Sequence, residues 1–304
     1  MFNSTTQEGY KIDIPSSFKG YNVIKQIGNG GTCIVVLIED QITKKKYAAK
    51  VLSKTNIAEN SILESINKEI NVLKSLSHPN IIKVYDSFDI VNEENEEEFI
   101  VIIMEYCEKG DLLTYINNIG FKNDKLKRKI TIDFLKAIQY LHNKEISHGD
   151  IKAENILLNS KISVKLCDFG FCRTRLIAGN ESKKGTLIYA PPEMFQEGKF
   201  NTLKADIYSI GLTLYSMSEM QLPFTSENQD LIVQQILNGF LSFPIGFDKK
   251  LEKLIKRCTS LNPLHRPSIE EILKDDYFLD NDSNQINKQK FLRQIKIKNS
   301  RNDV

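Results

Sequence analysis

The chain has 304 residues, of which 41% are hydrophobic and 26% are charged, and its formal net charge is +2. This composition is typical of a globular protein long enough for two lobes, and it gives no sign of a nucleic-acid partner. Five scattered cysteines form no Cys-x-x-Cys pair, which argues against a zinc site or a disulfide framework.

The first 20 residues are polar, and we predict a loosely ordered extension there. They lack the apolar core of a signal peptide and the Gly at position 2 of a myristoylation motif. No apolar run is long enough to span a membrane. Together with the unpaired cysteines, these features predict a soluble, intracellular protein, most simply a cytoplasmic one.

Between residues 21 and 106, short apolar runs alternate with polar turns, which predicts an antiparallel meander. The predicted strands are 21–27, 34–38, 47–52, 81–88 and 99–106, and one helix, 61–76, lies between the third and the fourth. An acidic run at 92–98 separates the last two strands. Such a run is usually a solvated loop, and a docking site is the less favoured alternative.

A glycine-rich turn, Gly28-Asn29-Gly30-Gly31-Thr32-Cys33, joins the first two strands. Glycine has no side chain, so this turn can wrap closely over a ligand and direct its backbone amides at phosphate oxygens. A tight hairpin turn that uses glycine for backbone reasons alone is the alternative. The turn is neither a Walker loop nor a Rossmann loop, because both open a helix and residues 34–38 are β-rich.

One charged pair is predicted from the pattern of helix 61–76. Its buried face is marked by apolar residues at helical spacing, Ile62, Ile66, Ile70 and Leu73. Glu69 lies on the same face, and Lys50 lies on an apolar strand. Because an unpaired buried charge is costly, we predict that the two side chains form an ion pair. Without Lys50, a solvated Glu69 at the edge of the face would be the preferred interpretation.

The second half of the chain is mainly helical. A long amphipathic helix is marked by Leu126, Ile130, Phe134, Ile138 and Leu141, and further helices are predicted at 203–220, 230–239, 249–260 and 268–274. A short hairpin of 155–158 with 163–167 interrupts them. The basic stretch 171–184 is predicted to be a flexible loop, and the polar tail 279–304 to be frayed or bound to a partner.

Two polar motifs flank that hairpin, His148-Gly149-Asp150-Ile151-Lys152-Ala153-Glu154-Asn155 before it and Asp168-Phe169-Gly170 after it. Asp150 could take a proton, Lys152 could neutralise anionic oxygens and Asn155 could hold a metal, which together fit phosphoryl transfer. Asp168, at the end of a strand and close to a glycine, could chelate Mg²⁺. Taken alone, the first motif could also be a polar turn between a helix and a strand.

In their order and separations, these motifs resemble those of the eukaryotic protein kinases. The resemblance covers residues 21–278. It implies an α+β, two-lobed fold, with an antiparallel five-stranded sheet and one helix in a small lobe (21–106) and a larger, mainly helical lobe (107–278). Residues 1–20 and 279–304 would be extensions. The resemblance also implies that ATP and Mg²⁺ bind in the cleft between the lobes and that a protein is the second substrate.

By this resemblance, ATP contacts the glycine-rich turn, the cleft walls and the segment that joins the lobes. The implied contacts are Ile27, Gly28, Asn29, Gly30, Gly31, Val35, Ala48, Lys50, Met104, Glu105, Cys107, Asp111 and Leu157. Met104 would be the gatekeeper, and the backbone of Glu105 and Cys107 would hydrogen-bond adenine. Asp111 would approach the ribose.

The same resemblance implies the catalytic residues. Lys50, paired with Glu69, would hold the α- and β-phosphates. Asp150 would accept or orient the proton of the substrate hydroxyl, and Lys152 would steady the transferred phosphoryl group. Asn155 and Asp168 would hold the magnesium ions. Supporting contacts are implied elsewhere: Glu193 with Arg266, Asp206 with the backbone of the catalytic loop, and His148 with Phe169.

This sequence departs from the kinase pattern at two positions. Gly149 stands where the family usually has Arg, and Cys33 takes the place of the third glycine. In the family, that Arg often belongs to a cluster of positive charge that a phosphate on the activation loop organises. Because the Arg is missing here, we expect activity without loop phosphorylation. A catalytically weak pseudokinase that binds ATP as a scaffold is the alternative.

Lys152 is typical of the serine/threonine branch, and Phe171 is associated with a preference for serine over threonine. We expect a monomeric catalytic domain.

Overall fold

The computed structural model describes residues 1–279 except 32, 56–59, 122, 175, 179–185, 222, 225, 227 and 240. In the described residues, the smaller lobe contains β1 Phe2–Thr5, β2 Lys11–Ile14, β3 Ser17–Phe18, β4 Tyr21–Asn29, β5 Cys33–Asp40, β6 Lys46–Ser53, α1 Asn60–Ser75, β7 Val84–Asn92 and β8 Glu97–Glu105. The five predicted strands and the helix are all present, and their ends differ by a few residues. The side chain of Ile62 lies outside the described part.

The main sheet has six antiparallel strands in the order β3-β4-β5-β6-β8-β7. The prediction of five strands is short by one, because the two-residue strand β3 is too brief to give a periodic pattern. Pairing puts Val35 opposite Lys50 and Ala48 opposite Met104. Since successive side chains alternate between the faces of a strand, these four residues share one face of the sheet.

The N-terminal residues are ordered, contrary to the expectation of a loose extension. β1 and β2 pair antiparallel and form the N-terminal hairpin, residues 2–14. Ile12 and Ile14 are 0% exposed and belong to one apolar cluster with Ile34 and Val36 of the sheet. β2 therefore packs its apolar face against the side of the sheet that faces away from Lys50.

Helix α1 packs on the Lys50 side of the sheet. Ile66 and Ile70 of the helix form a buried cluster with Leu52 and Ile102 of the strands. Helical spacing brings these isoleucines onto one face. That packing fixes the helix so that Glu69, which lies between them in the sequence, is buried beside the sheet.

The larger lobe contains α2 Leu112–Ile119, α3 Asp124–His142, β9 Ile146–Ser147, β10 Ile156–Leu158, β11 Val164–Leu166, β12 Arg173–Thr174, β13 Leu176–Ala178, β14 Lys199–Asn201, α4 Thr202–Glu219, α5 Gln229–Leu237, α6 Lys249–Cys258, α7 Ile269–Leu273 and α8 Asp276–Leu279. Two short helices, α2 and α8, are missing from the sequence prediction. Within the described residues, no helix has both the length and the apolar character that a membrane span needs.

Part of the stretch predicted to be a flexible loop forms paired strands. β12 pairs with β9, and Arg173 lies opposite Ser147. β13 pairs with β14, the strand just before α4. The prediction of a loop is therefore wrong for these residues, because the backbone of each strand pairs with a neighbouring strand. Residues 179–185 and the tail from 280 onward lie outside the described part of the chain.

Candidate active site

A single buried carboxylate fixes the backbone of the catalytic loop. Asp206, in the first turns of α4, accepts the N–H of His148 at 2.8 Å and the N–H of Gly149 at 3.0 Å. The ring of His142 lies 2.9 Å from the same carboxylate. Asp206 thus anchors the backbone of the catalytic loop to α4, as the resemblance implied, and it also links that loop to α3 through His142.

His148 is a core residue. Its ring is fully buried and meets Phe169 edge to face, with ring centroids 5.0 Å apart. Its Nε2 lies 3.0 Å from the carbonyl oxygen of Cys167. The imidazole therefore ties the catalytic loop to the segment around Asp168, and it does not face the cleft.

Asp150 is the centre of a polar cluster. Its carboxylate lies 2.8 Å from Lys152 Nζ and accepts hydrogen bonds from Asn155 Nδ2 at 2.9 Å and from the Thr186 hydroxyl at 3.0 Å. Lys152 Nζ in turn donates to Thr186 Oγ1 at 2.7 Å. Burial by itself would raise the pKa of Asp150, but the hydrogen bond and charge of Lys152 outweigh burial and lower that pKa. Asp150 is therefore ionised at neutral pH.

The predicted pair of Lys50 and Glu69 is formed. Lys50 Nζ donates to Glu69 Oε1 at 3.2 Å, and the Glu69 carboxylate is buried. Burial works to lower the pKa of Lys50, but the charges of Glu69 and Asp168 outweigh it and raise that pKa above its ordinary value. Lys50 is therefore a fixed positive charge in the cleft.

Asp168 has an unusual backbone conformation, with φ at +63°. This left-handed geometry is uncommon for residues other than glycine, Asn and Asp, and it occurs often at functional sites. The predicted second metal ligand, Asn155, uses its amide nitrogen on Asp150. Its amide oxygen is directed the other way, because the two groups lie on opposite sides of the amide carbon. Carboxylate and amide oxygens are ligands that Mg²⁺ prefers, so these donors fit that ion.

The glycine-rich turn is tightly packed in its described residues. A Cβ on Gly28 would lie 3.2 Å from Val35 Cβ, and one on Gly30 would lie 2.7 Å from Cys33 Sγ. The Gly30 N–H donates to the Cys33 carbonyl at 2.8 Å. Burial raises the pKa of the Cys33 thiol, so this side chain is a neutral packing group. Cys33 therefore closes the turn where the family usually has glycine.

The remaining predicted nucleotide contacts lie around the junction of the lobes. Ile27, Val35 and Leu157 are partly exposed, and Ala48 pairs with Met104 across the sheet. The side chains are apolar, which suits the predicted contact with a flat aromatic base.

Two acidic residues at the junction already have partners. Glu105 pairs with Lys165 at 2.8 Å, and Asp111 caps helix α2 by accepting the Thr114 N–H at 2.8 Å. The Cys107 carbonyl accepts the Gly110 N–H at 3.1 Å. A carboxylate has further acceptor positions, so the capping role of Asp111 is compatible with contact to a ribose.

Behind the site, Arg266 and Glu193 form a buried two-point ion pair. Their N–O distances are 2.6 Å and 2.7 Å, and the Arg266 side chain is fully buried. Arg266 also donates to the Lys204 carbonyl at 2.9 Å. This pair locks the segment that follows Thr186 onto the beginning of α4.

Comparison with known proteins decides the family. A sequence model described as the protein kinase domain matches residues 21–278. The chain belongs to the protein kinase domain family. Serine/threonine-protein kinase SIK1 of Rattus norvegicus is 32% identical over 260 residues, which are 83% of this chain and 32% of that protein. SIK1 of Mus musculus is 32% identical over 277 residues, 88% of this chain and 34% of that protein.

The chain thus spans about a third of the length of the curated relatives it matches. The resemblance to serine/threonine kinases and the two-lobed α+β fold are confirmed. One polar contact of this kinase domain was not predicted, the hydroxyl of Thr186 between Asp150 and Lys152. A single threonine carries no sequence pattern that points to such a role.

In this kinase domain, the backbone around position 149 itself favours glycine. The φ of Gly149 is +83°, and a Cβ on it would lie 2.4 Å from the carbonyl oxygen of Phe171. Any side chain at position 149 would therefore meet backbone and not empty space. The catalytic loop and the segment after Asp168 are in direct backbone contact at this point.

Proposed function

We propose that this chain is a protein serine/threonine kinase that transfers the γ-phosphoryl group of ATP to a protein hydroxyl. The observation that carries the proposal is the polar cluster of Asp150, Lys152 and Thr186. The Lys50–Glu69 ion pair supplies the complementary charge for the nucleotide. In phosphoryl transfer, catalysis consists mostly of positioning and charge stabilisation, and these residues provide both.

Each residue has a defined part in this proposal. The ionised Asp150 orients the serine hydroxyl and receives its proton. Lys152, which here bridges Asp150 and Thr186, places a positive charge next to the oxygens that carry negative charge during transfer. Asp168 and Asn155 supply oxygen donors for Mg²⁺, which when bound would neutralise phosphate charge. Lys50 holds phosphate oxygens from the other side of the cleft.

Transfer of phosphate from ATP to a generic basic protein tests this function. Asp150→Asn should lower kcat by about 10²–10⁴-fold, because general-base contributions are of that size. Asp133→Asn is the matched control, since in the described residues Asp133 forms an i,i+4 pair with Lys129 away from the candidate site. Transfer that is equal in both variants would point to a contaminating kinase or to a wrong assignment of Asp150.

A catalytically weak pseudokinase is the second candidate. The departures at Cys33 and Gly149 favour it, and the complete set of phosphate-facing and hydroxyl-facing residues opposes it. A pseudokinase would bind Mg-ATP in a calorimetric titration and show no transfer above that of Asp150→Asn. Burst measurements with concentrated protein would separate slow turnover from none.

Activity without loop phosphorylation is the regulatory part of the proposal. It is supported by the missing Arg at position 149 and by the Arg173 guanidinium, which donates to the Cys172 carbonyl at 3.0 Å. The pairing of β12 with β9 further supports an ordered segment. Phosphatase-treated protein should keep most of its activity. Treated protein that is inactive, and recovers when the loop is phosphorylated, would contradict this part.

We further propose that serine is preferred over threonine and that a basic residue before the acceptor is moderately favoured. Phe171 lines a cavity of about 340 Å³ beside Asp150, which supports the first preference. Glu154 Oε2 is buried without a hydrogen-bond partner in the described part of the chain, which supports the second. The first preference is tested with peptide pairs that differ only in Ser or Thr. The second is tested with a positional-scanning peptide array. Equal or faster threonine turnover would contradict the first preference.

A further inference from the structure

The N-terminal hairpin reaches the nucleotide site. Its strands cover the outer face of the sheet, and its turn, residues 6–10, lies against the glycine-rich turn. The Gln7 N–H donates to the carbonyl oxygen of Gly30 at 2.9 Å. Turn residues Thr6 and Tyr10 bond to each other through Thr6 N–H to Tyr10 O at 2.9 Å, so the donor is held in place.

A second connection runs from the first strand of the hairpin. The hydroxyl of Ser4 donates to Gln26 Oε1, and Gln26 Nε2 donates to the Gly28 carbonyl at 3.1 Å. The carbonyls of Gly28 and Gly30, two glycines of the glycine-rich turn, therefore each accept a hydrogen bond that depends on the hairpin. The other end of the hairpin is fixed by Asn92 Nδ2, which donates to the Asp13 carbonyl at 3.0 Å.

The hairpin also brings a negative charge to this place. Glu8 Oε1 lies 2.7 Å from the position that a Cβ would occupy on Gly31. The carboxylate is therefore beside Gly31, whose backbone faces phosphate in the proposed function. Glu8 is exposed, so its effect on a nucleotide is a screened, moderate repulsion.

We propose that the N-terminal hairpin is a working part of the nucleotide site. Its backbone contacts hold the glycine-rich turn, and its Glu8 carboxylate lowers the affinity for the triphosphate of ATP. The proposal rests on the proposed nucleotide binding and adds residues outside the matched kinase domain to the site. A hairpin that moves away would release the turn and remove the charge together.

The electrostatic part is tested by measuring the Kd of Mg-ATP calorimetrically for Glu8→Gln. Removal of one exposed like charge should tighten binding about two- to fivefold. The gain should shrink as salt is raised, because salt screens the charge of an exposed carboxylate. Glu94→Gln is the matched control, because Glu94 is exposed near Asn92, at the far end of the hairpin. A Kd for Glu8→Gln equal to that of the control would overturn this part.

The positional part is tested without nucleotide. Gln7→Pro removes the donating N–H, and Gln7→Ala keeps it. Amides of residues 30–34 should exchange with deuterium faster in Gln7→Pro than in Gln7→Ala, while amides in α4 should not change. Equal exchange in the two variants would overturn the proposal that the hairpin holds the glycine-rich turn. If wild-type protein binds Mg-ATP and the hairpin variants all behave like it, only the hairpin proposal fails. If wild-type protein does not bind Mg-ATP, the proposed function fails.

Discussion

The carbonyl oxygen of Phe171 lies 2.4 Å from the point where a Cβ on Gly149 would be. The φ of Gly149 is also in the left-handed region, at +83°. Two physical effects therefore select glycine at this position, the backbone conformation and the contact with Phe171. The residue that distinguishes this catalytic loop is thus coupled to the segment that carries Asp168.

From this contact we predict that replacing Gly149 with Arg will not give a phosphorylation-controlled kinase. A left-handed backbone costs a residue with a side chain about 1–2 kcal/mol, and the collision adds to that cost. We expect Gly149→Arg and Gly149→Ala both to lose thermal stability and transfer activity.

The matched control for this prediction is Gly246→Ala. Gly246 has a φ of +90° and nothing within 4 Å of an added Cβ, so it carries the conformational cost alone. The extra loss of stability in Gly149→Ala measures the contact with Phe171. A Gly149→Arg protein as stable and as active as the wild type would show that the segment after Asp168 shifts freely.

The hydroxyl of Thr186 should contribute to the transfer rate. Thr186→Val keeps the shape and removes the group that bridges Lys152 and Asp150, and Thr186→Ser keeps that group. A lost hydrogen bond in this part-buried network costs about 1–3 kcal/mol, which corresponds to about a 5- to 160-fold lower kcat. Steady-state kinetics should show this loss in the valine variant and most of the activity in the serine variant. Equal activity of the two variants would mean that the hydroxyl is not used.

Arg266→Met should be among the most destabilising single changes. It leaves the buried Glu193 carboxylate without its partner, which typically costs about 3–5 kcal/mol. Urea unfolding measures the difference in the free energy of unfolding. Lys129→Met, which breaks the exposed pair with Asp133, should cost only about 0.3–0.5 kcal/mol. Similar losses in both variants would contradict the assigned burial of the Arg266–Glu193 pair.

The lowered pKa of Asp150 predicts a pH dependence of stability. A carboxyl group whose pKa is lower in the folded state stabilises the fold above its unfolded pKa, about 3.9, and loses that contribution as pH falls through the folded value. The stability difference between wild type and Asp150→Asn should therefore be constant from pH 7 to 5 and shrink at more acidic pH. Urea unfolding across that range checks it. A difference that shrinks already between pH 7 and 6 would indicate a raised pKa.

Much of the fold and site was predictable because the signals were local. The spacing of Ile66 and Ile70 identified the helix face that carries Glu69, and the alternating apolar runs identified five strands. A buried carboxylate at Glu69 needs a partner of opposite charge, and Lys50, on an apolar strand, was the candidate. These inferences needed only the periodicity of each element and the cost of burying a charge.

The contacts that the sequence did not reveal depend on tertiary structure. Ile12 and Ile14 are too few to stand out in a polar segment, and they become an apolar face only against the sheet. Helix α2 is short, and it begins directly after Asp111, in the segment that joins the lobes. Thr186 lies 36 residues from Asp150, and a single threonine has no pattern of its own. Their positions follow from how distant segments pack.

Asp206 also bears on the order of folding. It is 58 residues from His148 and 57 from Gly149, whose N–H groups it accepts. Such distant contacts form only after a long intervening loop has closed, which is slow relative to local helix formation. The catalytic loop should therefore reach its final shape late, once α4 has docked. During refolding, recovery of transfer activity should lag behind recovery of the helical signal.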